Sequence, residues 1–572
     1  MSKWNVLIVS APNLMIVGAP RSGTTFLWAS LAQSDDVFAP PVKEPHFHLA
    51  DRWPLGGPES TAFTKPLAAY LAGRKKKVWG GLMTRPQDYA ALYAPGATAN
   101  WRIEATPNYF AEGHMMAERL SERLGPETRI LVTLRDPVER AMSHYRLFCR
   151  TGWETLSFEA ALAAGPERCA TGWAPTWDYL RYSLIAEPLA AWRKVFGDRL
   201  QTVTLDAQRY TPFETMERIS SWLGLSNIGI APKSKHNAAG NHDKVSYDAA
   251  KAAMVASGRI DLEVERSALT EIRATEPPLP IVSIGMPVRN GAASISKALN
   301  SLQAQSYPAL DIVVCDNAST DETPQIAAKY AEQDPRISLQ RFETSVDIQD
   351  SYRRALDSRK GPYFMFAPAD DSWSPEFIDS AVCRMQVDRT LSACCGHIEM
   401  VSDDGELKKS RGTRSIKGRP QQRWRRGLLR VSDASRLYGL LRSDRLDGLI
   451  PSSAPQGWDH YSAAKIALRG AVAKINITAM RRHQTPASKY KEWIDDQEPT
   501  LRGRASMARH VIRLCRADAE IKSFHPAAQM VLWSYFCKHA AQNLPRSIWF
   551  APARLIAIIF TYILGVLAWV IP

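Results

Sequence analysis

The sequence has 572 residues and a formal net charge of +14, with 45% hydrophobic and 23% charged residues. The length exceeds a single ordinary core and the balance is globular, which excludes a disordered chain and points to about three units. The positive excess calls for anionic partners, but zinc-finger spacings and RNP-type aromatic motifs are missing, which sets nucleic acid aside.

The N-terminus leads almost directly into a predicted strand, with no basic, apolar and small-residue succession of a secretory signal, so the catalytic bulk is expected in the cytoplasm. The eight cysteines are thinly spread and form no C-x-x-C pair. This argues against a disulfide framework or a structural zinc site and suits a reducing compartment. Residues 13–18 form an apolar run that ends in Gly18-Ala19-Pro20-Arg21-Ser22-Gly23-Thr24-Thr25, and Thr25 to Ala32 has helical spacing. Strand, small-residue turn and helix present backbone N–H groups and the positive end of a helix dipole to an anion. Gly23 permits close approach, and the hydroxyls of Ser22, Thr24 and Thr25 add donors. A nucleoside-triphosphate loop carries Lys after its second glycine. Here that position is Thr24 and the cation, Arg21, comes earlier, so the turn suits a nucleotide phosphate without the usual Mg-NTP arrangement.

Further along come Lys43-Glu44-Pro45-His46-Phe47 and Glu104-Ala105-Thr106-Pro107-Asn108-Tyr109. A strand is predicted over Arg129–Leu134, followed by Arg135-Asp136-Pro137 and a helix containing Ser143. An arginine at a strand's carboxyl end and a serine two turns into the next helix can hold one phosphate together. Over residues 10–245 this order of segments resembles the PAPS-dependent sulfotransferases, in particular the carbohydrate-modifying branch. The resemblance implies a 5′-phosphosulfate loop at Arg21–Thr25 and a 3′-phosphate held by Arg135 and Ser143. It also places Glu44 where heparan-type enzymes keep their catalytic base. A carboxylate among Pro, His and Phe is expected to have a raised pKa. A surface Glu44 paired with Lys43 is the alternative, and His46 and His48 are alternative bases. The segment 233–240, Lys-Ser-Lys-His-Asn-Ala-Ala-Gly, is a loose match to the family's late cofactor loop.

A helical stretch, Asp248–Ile272, and Glu276-Pro277-Pro278 precede a second α/β opening, which puts a boundary near residue 275. A strand is predicted over Pro278–Pro287, a helix over Ala293–Gln305, and a strand over Leu310–Asp316. The run Gly361–Asp371 then places Asp370 and Asp371 after an apolar strand, and ligands of open α/β sheets bind beyond the strands' carboxyl ends. Residues 278–490 resemble family 2 glycosyltransferases of the GT-A fold. The resemblance implies that Asp316 contacts the nucleoside of a nucleotide sugar and that Asp370 and Asp371 hold Mg²⁺ or Mn²⁺. It departs from the family where Asp-x-Asp reads Ala369-Asp370-Asp371. Asp459, ahead of a predicted helix Ser462–Leu468, stands where the family keeps the base of an inverting transfer; a helix N-cap is the alternative. Arg481-Arg482-His483 resembles a late basic motif that contacts the diphosphate. The basic stretch Lys408–Arg430 is predicted as a solvated loop, with an anion contact as the sharper alternative.

From about residue 490 the chain looks helical, and Leu555–Ile571 is an apolar run of 17 residues flanked by Lys538, Arg546 and Arg554. It is read as a C-terminal anchor to the inner face of the plasma membrane, against a core or in-plane helix. The expected architecture is α/β. A P-loop-like sulfotransferase unit with a parallel sheet (1–274) precedes a GT-A glycosyltransferase unit (275–490), a helical region (491–546) and the anchor (547–572). The expected function is sulfuryl transfer from PAPS to a carbohydrate hydroxyl and sugar transfer from a nucleotide sugar to a glycan or lipid-linked glycan. The rivals are one active unit beside an acceptor-binding module, a P-loop NTPase or kinase, and, on charge alone, a nucleic-acid-binding protein.

Overall fold

The computed structural model describes residues 11–51, 78–79, 83–226, 229–231, 245–402, 407–410, 412–431, 434–452, 457–484, 510–522, 531–532 and 534–535. The loop predicted at 233–240 and the apolar run 555–571 lie outside these. Among the described residues no helix is long and apolar enough to cross a membrane. The chain divides into two compact units, Met1–Leu279 and Pro280–Pro572.

The first unit is built on a five-stranded sheet. Its strands are β1 (Leu14–Ile16), β2 (Val37–Phe38), β5 (Trp101–Ala105), β6 (Arg129–Leu134) and β7 (Leu200–Thr204), while β3 (Val42–Lys43) pairs with β4 (Val78–Trp79) apart from it. The order is β2-β5-β1-β6-β7, and all four pairings are parallel. Every residue of β1 is buried, as a central strand covered on both faces requires. One face packs on Tyr109, Met116, Leu120 and Trp192, the other on Leu27, Leu31, Ile219 and Leu223. The predicted helix 248–272 is two helices, Tyr247–Ala256 and Leu262–Ala274, broken where Gly258 takes φ 63°.

The second unit holds a nine-stranded sheet with the order β10-β9-β8-β11-β15-β13-β16-β12, β14 pairing off β13. The strands are β8 (Val282–Val288), β9 (Leu310–Asp316), β10 (Ile337–Arg341), β11 (Tyr363–Phe366), β12 (Asp371–Trp373), β13 (Leu391–Ser402), β14 (Leu407–Lys409), β15 (Leu440–Arg442) and β16 (Ala471–Gln484). From β10 to β11 the pairing is parallel, as the β-α-β reading expects. Beyond β11 it becomes mixed, with β15 antiparallel to both neighbours. The expected α/β class therefore holds in both units, the second with a half-parallel sheet.

Two sequence expectations are corrected here. The stretch 408–430 is no loop throughout. It includes the helix Pro420–Leu429, whose Trp424, Gly427 and Leu428 are buried. Arg423 donates from Nε and Nη2 to the carbonyls of Ala467 and Leu468 at 3.0 and 2.8 Å, supplying partners that a helix C-terminus lacks. The helix expected over Ser462–Leu468 begins at Trp458 and ends at Arg469.

Candidate active sites

In the first unit the turn after β1 is fixed from behind. Gly18 lies so close to β6 that a Cβ there would come within 2.6 Å of the Thr133 amide, and Thr133 Oγ1 donates to Gly18 O at 2.7 Å. Arg21 and Gly23 take positive φ, 70° and 94°. Gly23 is the N-cap of the helix Thr24–Leu31, and a side chain there would strike Gln208, which donates to Ser22 O at 3.1 Å. Ser22 Oγ is fully buried with no hydrogen-bond partner, beside a helix terminus whose first N–H groups have no intrahelical acceptor. An anion at this terminus fits both.

The charges agree. Arg21 Nε donates to Ser143 Oγ at 3.2 Å, and Arg135 Nη1 reaches Arg21 O at 3.4 Å, so the loop, the end of β6 and the helix Pro137–Thr151 meet. Burial, then the charges of Arg135 and Arg150, pull the Arg21 guanidinium down to about 10, opposed by Glu44. Arg135 has one acidic partner, Glu139, at 3.0 Å. The predicted residues Arg21, Ser22, Gly23, Thr24, Arg135 and Ser143 are thus assembled at one place, with Thr25 in the first turn of the helix.

Glu44 lies within electrostatic reach of Arg21, at φ 64° on the turn after β3. Its carboxylate pairs with the buried ammonium of Lys43. Burial pushes the Glu44 carboxyl up, but Lys43, His46 and Arg21 outweigh it and hold the pKa below the ordinary value. The raised pKa expected from the apolar neighbours is therefore wrong in sign. His46 has both ring nitrogens engaged, Nδ1 with Glu44 O and Nε2 with Asn108 Nδ2, each at 2.9 Å. His48 is buried among Phe47, Tyr89 and Tyr109, and burial with Arg123 and Arg119 lowers its pKa to about 3. His46 is thus held through both nitrogens, and His48 sits in an aromatic pocket that disfavours its charged form.

In the second unit Asp316, fully buried at the end of β9, accepts from Ser319 N at 3.1 Å and faces Arg341 at 3.5 Å. The two loops at the carboxyl ends of β8 and β9 are laced together: Asn290 N donates to Ser319 Oγ and Gly291 N to Thr323 Oγ1, at 2.9 and 2.8 Å. Asp371 begins β12 and meets Arg482 of β16 at 3.6 Å, while Asp370 is exposed one residue earlier. Arg481 is committed to Glu399 at 3.1 Å. The His483 side chain lies outside the described residues.

Asp459 is the second residue of its helix and Gly457 holds the N-cap position, so Asp459 serves the helix start from inside the first turn. Its Oδ1 accepts from His460 N at 2.9 Å. Tyr438 brings the acids together. Its hydroxyl is pushed up by burial, pulled down by Arg482, and pushed up again by Asp371 and Asp459. Tyr352, whose hydroxyl lies 3.4 Å from that of Tyr438, feels Asp370, and Arg482 sits 4.8 Å over the Tyr438 ring. Arg482 thus lies against both Asp371 and the Tyr438 ring, and Asp370 and Asp459 fall within electrostatic reach of the tyrosine pair. Carboxylate oxygens are the donor type that Mg²⁺ or Mn²⁺ takes. Among the described residues no group of three or more His, Cys, Asp or Glu forms a cluster able to hold a metal.

Residues 12–228 match the sequence model of the Sulfotransferase family, and residues 283–446 match that of Glycosyl transferase family 2. The chain joins a sulfotransferase-family region to a family 2 glycosyltransferase region. A curated relative of the latter, described as a putative teichuronic acid biosynthesis glycosyltransferase of Bacillus subtilis, is 27% identical over 130 residues, covering 23% of this chain and 52% of the relative. Another, an Escherichia coli glucosyltransferase that uses UDP-Glc and an α-D-GlcNAc-diphosphoundecaprenol acceptor by its description, is 26% identical over 23% of this chain and 50% of its own. The chain spans about half the length of the curated relatives it matches. Among solved structures, a sulfotransferase from Alicyclobacillus acidocaldarius is 26% identical over 45% of this chain and 98% of its own, with a TM-score of 0.33. S. aureus TarS in complex with UDP-GlcNAc is 17% identical over 48% of this chain and 79% of its own, with a TM-score of 0.37.

Several residues at these sites escape sequence reasoning. In the sulfotransferase-family region Gln208 lies 186 positions from Ser22, and no pattern links them. Arg150 was findable, since it follows Ser143 by seven positions on one helix and so shares its face. In the glycosyltransferase-family region Tyr352 and Tyr438 carry no signal, because tyrosines at such spacing are ordinarily core.

Proposed function

We propose that the chain is a bifunctional transferase. One unit moves a sulfuryl group from PAPS to a carbohydrate hydroxyl, and the other moves a sugar from a nucleotide sugar to a glycan or lipid-linked glycan. The observation that carries the first half is the cradle in which Arg21, Arg135 and Ser143 meet at the phosphate-type turn with its unpartnered Ser22 hydroxyl, Arg150 adding its charge from electrostatic reach. A nucleotide with phosphates at both 3′ and 5′ positions has the charge and the two ends this cradle needs. Sulfuryl transfer is taken as an in-line displacement with a loose transition state, by analogy with phosphoryl transfer. The acceptor oxygen gives its proton to the Glu44 carboxylate and bonds to sulfur. The bond from sulfur to the bridging oxygen breaks, and that oxygen keeps the electron pair beside Arg21 and the loop amides. Lys43 keeps Glu44 ionised and able to accept a proton.

The second half is supported by the contacts of Arg482 with Asp371 and the Tyr438 ring, with Asp370 and Asp459 in electrostatic reach of Tyr352 and Tyr438. Asp316 would meet the nucleoside, Asp370 and Asp371 would hold a divalent cation, and Arg482 would meet the diphosphate. A bound cation would supply charge neutralisation for the departing nucleotide. Asp459 takes the proton of the acceptor hydroxyl. The use of UDP-Glc and of a lipid-diphosphate acceptor in the description of the Escherichia coli relative supports the class of donor and acceptor. Association with a membrane stays part of the proposal through residues 547–572.

A thermal-shift comparison of PAP, UDP and GDP, with and without Mn²⁺, tests both halves. PAP is expected to stabilise the protein without metal, and one nucleoside diphosphate to do so only with Mn²⁺. No shift with PAP defeats the first half; no metal-dependent shift with either diphosphate defeats the second.

A further inference from the structure

The helix Trp458–Arg469, which carries Asp459, lies beyond the residues that match the glycosyltransferase family model, 283–446. So does the segment packed on it. One side of the helix is tied to the unit's main body, with Ser462 Oγ donating to Leu449 O at 2.8 Å and Ile466 O accepting from Ser392 Oγ at 2.6 Å. The other side is covered by residues 510–522, 531–532 and 534–535, where Val511, Cys515, Ile521 and Leu532 close on Trp424 and Leu468.

Polar ties run along the same side from the first turn to the last. His460 Nδ1 lies 2.8 Å from Tyr535 Oη, and the Tyr461 hydroxyl donates to Asp518. Lys465 Nζ donates to Asp518 Oδ2 at 2.7 Å, in an ion pair whose side chains are 8% and 4% exposed. Arg469 reaches Glu520 with Nε at 3.1 Å. The helix start needs such support. Its N-cap, Gly457, offers no side-chain acceptor, and of the first-turn N–H groups the Asp459 carboxylate holds that of His460. The ties at His460 and Tyr461 fall on the two residues that follow Asp459.

We propose that residues 510–522, 531–532 and 534–535 are part of the glycosyltransferase site, with Tyr535 and Asp518 as positioning residues that hold Asp459 in place. The inference rests on the reading of Asp459 as the base. Without the clamp the helix keeps its inner contacts, but its first turn loses the partners that set the direction of the Asp459 carboxylate.

The test uses the full chain with Tyr535→Phe, which keeps the ring and removes the hydroxyl, and Asp459→Asn. Nucleotide release from UDP-glucose, UDP-GlcNAc and GDP-mannose with Mn²⁺ is measured together with hydrogen exchange of residues 457–469. Tyr535→Phe is expected to lower kcat about tenfold, with KM for the donor within about twofold and the melting temperature nearly unchanged. Exchange is expected to quicken in the first turn of the helix alone. In the Asp459→Asn background, Tyr535→Phe is expected to have no further effect on kcat. Unchanged first-turn exchange overturns the inference, as does an unchanged kcat beside a disabled Asp459→Asn. A loss of kcat that only tracks a fall in melting temperature also overturns it. Full turnover by Asp459→Asn removes the base itself, a failure of the functional reading that is distinct from these three.

Discussion

At the scale of single residues, Glu44 shows how an environment inferred from neighbours in sequence can mislead. Pro45, His46 and Phe47 suggest an apolar pocket and a raised pKa, yet the Lys43 ammonium is directed to the same carboxylate and wins. Glu44→Gln keeps the shape and removes the proton acceptor. It is expected to lower sulfuryl transfer by about 10²- to 10⁴-fold while PAP still binds, checked by transfer assays and calorimetric titration with PAP. Near-normal turnover would leave Glu44 as an ion-pair partner of Lys43 only. His48 makes a different prediction. Its pKa is lowered to about 3, so the folded chain cannot bind a proton that the unfolded chain binds near pH 6.5. The unfolded state then holds more protons at acid pH, so stability falls as pH drops below about 6.5, by about 1.4 kcal/mol at pH 5.5 from this residue. His144, lowered well below its ordinary value by burial and then Arg140, acts in the same direction. Urea unfolding between pH 7 and pH 5 should therefore show a shallower slope in His48→Gln than in the parent. The loop residues were legible because a phosphate turn is local, a few positions long. Gln208 and Tyr438 were not, because their contacts are made only by folding.

At the scale of elements, legibility followed periodicity. β6 and β9 stand where their apolar runs place them, Arg129–Leu134 and Leu310–Asp316, and the helix after the phosphate turn is offset by one residue. The helix Pro420–Leu429 was hidden by its arginines, which dominate its composition while Trp424 and Leu428 alone mark the buried face. The helix Trp458–Arg469 starts four residues before the expected Ser462 and ends one after Leu468, because Gly457-Trp458-Asp459 looks like a turn and here the glycine is the cap. The clamp on that helix contains a buried charge pair, Lys465 with Asp518. Burial pushes the Asp518 carboxyl up, but Lys465 and the Tyr461 hydroxyl more than reverse this, leaving its pKa lowered. Asp518 thus adds stability above its unfolded value near 4, lost as pH falls through the lower folded value. Asp518→Ala leaves Lys465 buried without that partner and is expected to destabilise the second unit by about 3–5 kcal/mol. Asp518→Asn, which still accepts from Tyr461, should lie between it and the parent in denaturant titrations. Equal stability of all three would reduce the pair to an incidental contact.

At the scale of the molecule, each unit closes its own core from its own residues, the first around Leu14–Ile16 and the second around Phe364 and Phe366. The boundary read at Glu276-Pro277-Pro278 lies within a few residues of the division at Leu279. The reason is physical: the prolines cannot continue the helix Leu262–Ala274, and β8 starts a new sheet four residues later. Two cores of this kind should melt as two calorimetric transitions, each responding to its own ligand. A ligand at a hundred times its dissociation constant adds about 2.7 kcal/mol to the unit that binds it and nothing to a unit that does not. Gly23→Ala makes the assignment. The new methyl would strike Gln208, and alanine at φ 94° is strained, so the phosphate turn cannot keep its form. In that variant PAP should no longer raise either transition, while the metal-dependent shift with UDP or GDP should persist on the other. Loss of both responses would mean that the turn supports the second unit as well, and the picture of two separately acting sites would have to be given up.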